Sequence, residues 1–299
     1  MENKEINSNI LMIDENDSAG VLNEREKIWH EIQYAYHGKR LLTGIFSGIE
    51  KAEKGVDIAV VYYKDFRVVI PLNEMLENIG EGDDAHERAV RILTNMLGCE
   101  IDFIPLGIDS ENYSVVASRI KAMQAKRIQF YGKDKNGIAK ISEGQIVQGR
   151  VISVAEKTVR FEVFGAECTV VARDLSWEWL GDAKDKFRVG DRVLLKIESV
   201  EYKESDVVIA CNVKAVTENK ISERLLRCKV GGKYSGRITD IYKGVTFIKL
   251  DIGVNAVAHS CSDRRMPGKN DDISFVVTRI DTEQKVAVGI ITRIIRQNI

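Results

Sequence analysis

Short runs in which apolar and polar residues alternate recur along most of the chain, and this alternation is typical of half-buried β-strands. Three such runs contain a glycine close to their start, at residues 43–46, 148–151 and 235–238. Each is followed by a second run and then by a short third run, which occupies residues 65–72, 166–173 and 253–260. This recurrence predicts one β-module in three copies.

Each copy closes with two further apolar runs that predict a hairpin. The first of these begins at Ile101, Val193 and Ile273 and reaches an acidic turn residue at Asp109, Glu201 and Asp281. The interval is eight residues in every copy. Chance matching of short Val and Ile runs is the alternative explanation, but a constant interval in three places favours a repeat.

Five short strands per copy form a sheet whose edges need protection, because an open edge pairs readily with other chains. A five-stranded antiparallel barrel of the OB type closes the edges and buries one face of every strand. The predicted fold is therefore mainly β, with three tandem five-stranded barrels joined by short helices. Helical periodicity predicts helices at residues 23–36, 84–93, 118–125 and 221–228.

The predicted domains follow from this order of elements. They are an N-terminal tail and helix (residues 1–38, with 1–20 expected to be mobile), a divergent barrel with a helical insertion (39–131), a second barrel (140–216) and a third barrel (229–296).

Charge and cysteine usage narrow the class of partner. The formal net charge is −1, yet residues 224–299 contain 14 Lys and Arg against 7 Asp and Glu. A polyanion would therefore meet the C-terminal quarter first, although a basic surface without a partner has the same composition. Five cysteines without a CxxC pair indicate free thiols in a reducing cytoplasm. No apolar run approaches the ~20 residues of a membrane helix.

Two motifs in the second and third copies resemble the S1 RNA-binding domain, an OB-fold family named after the ribosomal protein in which it is repeated. They are Gly190-Asp191-Arg192-Val193 and the glycine-to-histidine run of residues 253–259. The first copy is similar at lower fidelity. Over residues 40–295 the chain resembles the short ribosomal protein S1 variants of Gram-positive bacteria and their phages. The resemblance implies single-stranded RNA as the partner, with no cofactor and no metal.

The third copy carries the predicted RNA-binding surface. Ile248 and Leu250 suit the core, so the alternate residues Phe247 and Lys249 are predicted to point outward. An exposed ring beside a cation suits a base and its phosphate. The opposite phase would bury Lys249, which is unfavourable for a charged side chain.

The resemblance adds further candidates by position. His259 matches the RNA-contacting histidine of the family, Tyr242 lies within one residue of the first aromatic position, and Asp281 and Lys285 match the pair that flanks the last turn. Arg237, beside Gly236 on the first strand, is a further candidate for phosphate.

The first two copies depart from this pattern. The histidine position holds Pro71 in the first copy and Val171 in the second, and the aromatic positions of the second hold Lys157 and Arg160, which are weaker RNA-contact candidates. By resemblance, these copies are expected to bind the ribosome or another protein. Trp177, Trp179 and Leu180 form either a protein-binding patch or a plug of the barrel end.

Catalytic signatures are incomplete. His30-Glu31 is followed by Tyr34 where the zinc-protease signature requires a second histidine. The sequence therefore predicts a non-enzymatic, cytoplasmic binder of single-stranded RNA in a translation-related setting, with no role at a membrane. Two alternatives remain: a protein-interaction adaptor built from the same barrels and encoded by a bacterium or a phage, and an accessory RNA-binding subunit of an RNA-processing enzyme.

Overall fold

The computed structural model describes residues 24–52, 55–77, 84–203 and 206–298. These residues form three five-stranded sheets, one after another along the chain, with helices before and between them. The predicted mobility of residues 1–20 concerns residues outside the described ones. Among the helices that the described residues form, none is long and apolar enough to cross a membrane.

The first sheet is a closed barrel with the strand order β1-β2-β3-β5-β4. Its strands are β1 (Leu42–Lys51), β2 (Asp57–Tyr63), β3 (Phe66–Pro71), β4 (Glu100–Asp109) and β5 (Ser114–Ser118). The alternation along each strand sends one set of side chains inward, and Phe46, Val61 and Phe103 are fully buried there.

The helices predicted before, within and after the first copy in the sequence are present. Helix α1 (Glu24–Gly38) packs on the barrel through Trp29, whose ring stacks on Phe66 at 5.5 Å between centroids. Two helices, α2 (Leu72–Met75) and α3 (Ala85–Thr94), are inserted in the sequence between β3 and β4. Helix α4 (Arg119–Tyr131) follows β5.

The second sheet has the strand order β10-β9-β6-β7-β8. Its strands are β6 (Ile146–Val154), β7 (Thr158–Val163), β8 (Ala166–Val171), β9 (Arg192–Tyr202) and β10 (Val207–Asn212). Helix α5 (Ala172–Leu175) follows β8, and the C-terminal part of α4 is anchored because Tyr131 Oη donates a hydrogen bond of 2.8 Å to the Val163 carbonyl.

The third sheet is again a closed barrel, with the order β11-β12-β13-β15-β14. Helix α6 (Ile221–Leu225) leads into it, and its strands are β11 (Lys233–Tyr242), β12 (Val245–Leu250), β13 (Asn255–Cys261), β14 (Asp272–Asp281) and β15 (Val286–Arg296). Ile238, Ile248 and Phe275 lie at the centre of its core.

Strand direction differs from the prediction in one respect, since the strands are not all antiparallel. Strand β3 pairs with β5, and β13 with β15, in parallel. The reason is topological: strands around a closed ring of five cannot alternate in direction at every step, so one pair must be parallel. In the second sheet the strands in these positions, β8 and β10, adjoin without a hydrogen-bonded ladder among the described residues.

All three copies share a β-bulge in their first strand, and the first and third copies share a close approach at its glycine. A Cβ atom on Gly44 or on Gly236 would lie 2.7 Å from a carbonyl oxygen of the second strand, so only glycine fits there. Three residues further on, the first strand contains one extra residue, at Ser47, Ile152 and Thr239. A bulge of this kind moves the outward face by one position along the strand. The three copies therefore share a backbone irregularity as well as a sequence pattern.

By compactness the described residues divide into two units. One contains residues 24–77 and 101–122, and the other contains residues 84–100 and 123–298. The second and third sheets thus belong to the same unit.

Candidate nucleic-acid interface

The candidate interface is the outer face of β11, β12 and β13 in the third barrel. Along β12, Thr246, Ile248 and Leu250 are buried, whereas Phe247 and Lys249 are half-buried on the opposite face. The predicted phase of this strand is therefore confirmed. Residues paired across strands point to the same side, and the register pairs Lys249 with Arg237 on β11 and with Asn255 on β13.

The bulge at Thr239 settles the orientation of Tyr242, which the sequence left uncertain. After the bulge, Asp240 pairs with Phe247 and Tyr242 with Val245, so both lie on the outer face. Tyr242 is 61% exposed. The turn that follows it consists of Lys243 and Gly244, which both have a positive φ, as the two-residue turn of a β-hairpin requires. Lys243 Nζ lies 5.2 Å from the centre of the Tyr242 ring.

His259 and Arg237 lie at the two sides of this face. His259 is exposed and follows Val257 by two residues on β13, and Val257 pairs with Phe247. Arg237 Nε donates a hydrogen bond of 2.8 Å to Asp272 Oδ1. This hydrogen bond raises the pKa of Arg237 and lowers that of Asp272. Arg237 is therefore engaged by a carboxylate of its own barrel.

Asp281 and Lys285 belong to the turn between β14 and β15. Asp281 Oδ1 accepts a hydrogen bond of 2.9 Å from the Gln284 amide, and Lys285 has a positive φ of 57°. The Asp281 side chain therefore holds the turn together, a role that is sufficient to explain an acidic residue there.

Phe247 and Lys249 are less open to solvent than the sequence predicted. The segment Ser176–Gly181, which follows α5 in the second module and is called the 176–181 segment below, lies against them. The ring of Trp179 meets Phe247 edge-on, with 5.1 Å between centroids and 77° between planes. The Glu178 carboxylate accepts hydrogen bonds from Lys249 and from Arg224 of α6. The prediction of an open ring is wrong because a segment far away in sequence packs on Phe247, whereas Lys249 pairs with Glu178 but keeps a side chain that is 43% exposed.

The electrostatics of Glu178 agree with this geometry. Burial raises the pKa of its carboxyl group, but the hydrogen bonds from Lys249 and Arg224 outweigh burial, so the pKa is lowered. Glu178 is therefore ionised at neutral pH and neutralises part of the positive charge of the third barrel.

The three residues proposed as patch or plug have separate roles. Trp179 contacts the third barrel, Leu180 packs against the core of the second sheet, and Trp177 Nε1 donates a hydrogen bond of 3.0 Å to the Thr217 carbonyl. Neither interpretation holds for all three.

The weaker candidates of the second copy are also engaged. Lys157 Nζ donates to the Gly181 carbonyl at 2.8 Å and to Asp240 Oδ2 at 3.2 Å, so it joins the second module to the third instead of standing free for RNA. Arg160 lies 3.8 Å from Glu167. A cavity of about 280 Å³ remains beside these contacts, lined in part by Arg173, Trp179 and Phe247.

Strand registers also show which outward residues the sequence analysis missed. Counted from the strand glycines, the position of Lys249 is held by Glu162 in the second copy and by Tyr62 in the first. Glu162 is buried, with Lys126 at 3.0 Å, whereas Tyr62 is exposed between Ile45 and Arg67. The alternation of inward and outward residues along 57–63 is sufficient to predict that Tyr62 points outward. It was missed because an aromatic residue was expected at the position of Phe247 and not at that of Lys249.

The comparisons with known proteins agree with this architecture. Residues 140–212 match the family model described as the S1 RNA binding domain. The chain is 22% identical over 277 residues to the small ribosomal subunit protein bS1 of Coxiella burnetii, covering 89% of this chain and 46% of that protein. It is 22% identical over 278 residues to a 4-hydroxy-3-methylbut-2-enyl diphosphate reductase of Clostridium acetobutylicum, covering 88% of this chain and 39% of that protein. The chain thus spans less than half the length of these relatives.

Among solved structures, a multidomain protein with nucleic acid binding domains from Streptococcus pneumoniae is similar over 85% of this chain and 74% of its own, with 10% identity and a TM-score of 0.21. The resemblance to the S1 domain that the motifs indicated is confirmed by the family match. The matched segment is the second copy, whereas the predicted RNA-contacting residues are concentrated in the third.

Proposed function

We propose that the chain is a non-enzymatic protein that binds single-stranded RNA through the outer face of its third barrel. The observation that carries this proposal is the arrangement on that face: Tyr242 with Lys243, Phe247 with Lys249, and His259 all lie on one side of three neighbouring strands. Rings stack on the faces of unpaired bases, and the adjacent cations neutralise phosphates.

Single strands fit this face better than duplexes. In a duplex the base faces are stacked on each other, so protruding rings find no partner there. The open half of the face, formed by Tyr242, Lys243 and His259, is accessible as the structure stands. Binding is therefore expected to begin at this half.

A translation-related, cytoplasmic setting is part of the proposal. It is supported by the relatives named as small ribosomal subunit proteins and by cysteines that are free in the described residues. Attachment to the ribosome through the first two modules belongs to the same proposal. The similarity to a reductase covers 39% of that protein, and it does not assign a reaction to this chain.

A protein-interaction adaptor is the second candidate function. The observation that favours it is the 176–181 segment, since a face already covered by Trp179 and Glu178 has less area for a nucleotide. An adaptor would not bind RNA through Tyr242 and His259, and this difference separates the two candidates.

The test is a fluorescence-anisotropy titration of the full chain with a labelled, pyrimidine-rich single strand of roughly 12 nucleotides. Tyr242→Ala/His259→Ala is expected to weaken binding on the order of tenfold or more, because base stacking on one aromatic side chain contributes ~1–3 kcal/mol.

The matched control is Tyr202→Ala. Tyr202 is similarly exposed, at 52%, and has Lys133 Nζ 5.5 Å from its ring, but it lies on the second sheet. Its removal is expected to leave RNA affinity unchanged. Equal affinities of the wild type and the Tyr242/His259 variant would reject this face as the RNA site. Tighter binding of a duplex than of the single strand would reject the proposed ligand.

A further inference from the structure

The 176–181 segment offers the third barrel the same two groups that a nucleotide would offer. We propose that this segment is an intramolecular competitor of RNA, in which the Trp179 ring takes the place of a base on Phe247 and the Glu178 carboxylate takes the place of a phosphate at Lys249 and Arg224. This inference rests on the proposed function, because it concerns access to the same face.

The aromatic half of the competition follows from the contact geometry. Phe247 points outward on β12, and the surface that it presents is shared with Trp179 at a centroid distance of 5.1 Å. A nucleobase that approaches Phe247 must displace the indole or give up contact with the ring. Phe247 therefore cannot stack on a base while it packs against Trp179.

The charged half follows from the ion pairs. Glu178 accepts hydrogen bonds from Lys249 of the RNA face and from Arg224 of α6, so one carboxylate occupies two cations. A phosphate would need the same donors. Two contacts keep Arg224 within reach of Glu178. The next residue of α6, Leu225, is buried in the third core. The Arg224 side chain also passes over Gly253.

The segment is anchored at its C-terminal end. A Cβ atom on Gly181 would lie 2.2 Å from the Thr239 carbonyl, and the Gly181 carbonyl accepts a hydrogen bond from Lys157. Gly181 therefore acts as the fixed point, and Trp179 and Glu178 lie two and three residues before it.

The closed arrangement leaves part of the RNA face accessible. The Lys249 side chain is 43% exposed, so a phosphate can approach it before Glu178 is displaced.

The experiment compares the RNA affinity of the full wild-type chain with that of Glu178→Gln/Trp179→Ala, using the same labelled single strand. Removal of the competitor is expected to tighten binding by roughly fivefold or more, the range of an intramolecular coupling. Adding Phe247→Ala to this variant is expected to remove the part of the gain that comes from stacking, because the freed ring is then missing.

Two matched controls separate the competition from general effects. Tyr202→Ala removes an exposed aromatic side chain of the second sheet, outside the 176–181 segment. Glu218→Gln removes one negative charge at a residue that pairs with Lys220. Both are expected to bind RNA as the wild type does.

A second measurement follows RNA binding in the wild-type chain. The chain contains three tryptophans, so biosynthetic incorporation of 5-fluorotryptophan gives three fluorine signals. The Trp179 signal, assigned with Trp179→Phe, is expected to shift when RNA binds, whereas that of Trp29, buried against Phe66, stays constant.

Each outcome decides one of the two proposals or both. Wild-type binding that depends on Tyr242 and His259, with no gain in the Glu178/Trp179 variant and no shift of Trp179, would overturn the competition and leave the RNA site in place. A gain that Phe247→Ala does not reduce would also overturn it. Absence of RNA binding in both the wild type and the opened variant would overturn both proposals.

Discussion

At the scale of single residues, the first-strand glycines of the first and third barrels control how closely that strand approaches the second. Gly236 lies against the Lys249 carbonyl, at the strand that carries Phe247. An added methyl group there has no room, because its nearest neighbours are backbone atoms that cannot rotate away.

Gly236→Ala is therefore expected to destabilise the third barrel by about 1–3 kcal/mol, the usual cost of overpacking. Hydrogen exchange of the β11 and β12 amides measures this loss locally. The matched control is Gly48→Ala, a first-strand glycine with no atom within 4 Å of the added Cβ, for which little change is expected. Equal protection of β11 and β12 in Gly236→Ala and the wild type would contradict the close approach.

Thiol reactivity gives a second residue-scale prediction. Cys99, Cys168, Cys211 and Cys228 are buried, and only Cys261 is half-buried. Burial raises the pKa of Cys228, and a hydrogen bond with Cys211 raises that of Cys168, so neither readily forms the reactive thiolate. A disulfide reagent is expected to modify Cys261 first, and Cys261→Ser should remove the fast phase. A fast phase that persists in this variant would show that another cysteine is accessible.

The sequence was sufficient to predict the phase of β12 but not the surroundings of its outward residues. Phe247 and Lys249 alternate with buried residues, a pattern that can be read locally. Tyr242 could not be placed, because a bulge at Thr239 changes the alternation without a sequence signal of its own. The cover from Trp179 could not be predicted either, since it depends on how two modules pack.

At the scale of elements, strands and helices were predictable because apolar residues recur at a different spacing in each of them. The three hairpins at the ends of the copies are present, with β4 and β14 ending at the predicted turn residues Asp109 and Asp281. Strand direction was predicted wrongly, because alternation of side chains is identical in parallel and antiparallel pairs. Only counting the strands around a closed ring reveals the parallel pair.

The 176–181 segment responds to pH in a defined direction. Hydrogen bonds from Lys249 and Arg224 outweigh burial and lower the pKa of Glu178 below its ordinary value of 4.5. A group with a lowered pKa stabilises the closed state above its ordinary pKa, and this contribution is lost as the pH falls through the lowered value. Lys249 and Arg224 remain cationic throughout this range.

The Trp179 fluorine signal is therefore expected to stay constant from about pH 7 to about pH 5 and to shift only below 4.5. The Trp29 signal reports whether the barrels unfold in the same range. Glu178→Gln should abolish the transition. A Trp179 transition centred near neutral pH would contradict the assignment to Glu178.

At the scale of the whole molecule, positive charge is concentrated in one region but is partly neutralised by another. Residues 224–299 contain 14 basic and 7 acidic residues. Glu178 and Glu156 of the second module reduce the free charge by pairing with Arg224, Lys249 and Lys269. Counting charges along the sequence therefore overestimates what a phosphate chain would meet.

Salt dependence measures this neutralisation. Each phosphate neutralised on a single strand changes the slope of log K against log salt concentration by about −0.7. Freeing Lys249 and Arg224 in Glu178→Gln/Trp179→Ala is expected to make the slope more negative by about 1.4, the effect of two phosphates. Glu218→Gln, which frees no cation of the third barrel, should keep the wild-type slope. Parallel lines for the wild type and the opened variant would show that these cations do not contact RNA.

The shared bulge makes the three modules interchangeable templates for protein engineering. Counted from the strand glycine, the position of Tyr242 is held by Ala155 in the second module and by Glu50 in the first. Tyr242 pairs with Val245, Ala155 with Thr158 and Glu50 with Ile58, which are equivalent residues of the second strand. An aromatic side chain grafted at either location would project from the same wall as Tyr242 does. New recognition surfaces can thus be transplanted from one module to another without redesigning the backbone.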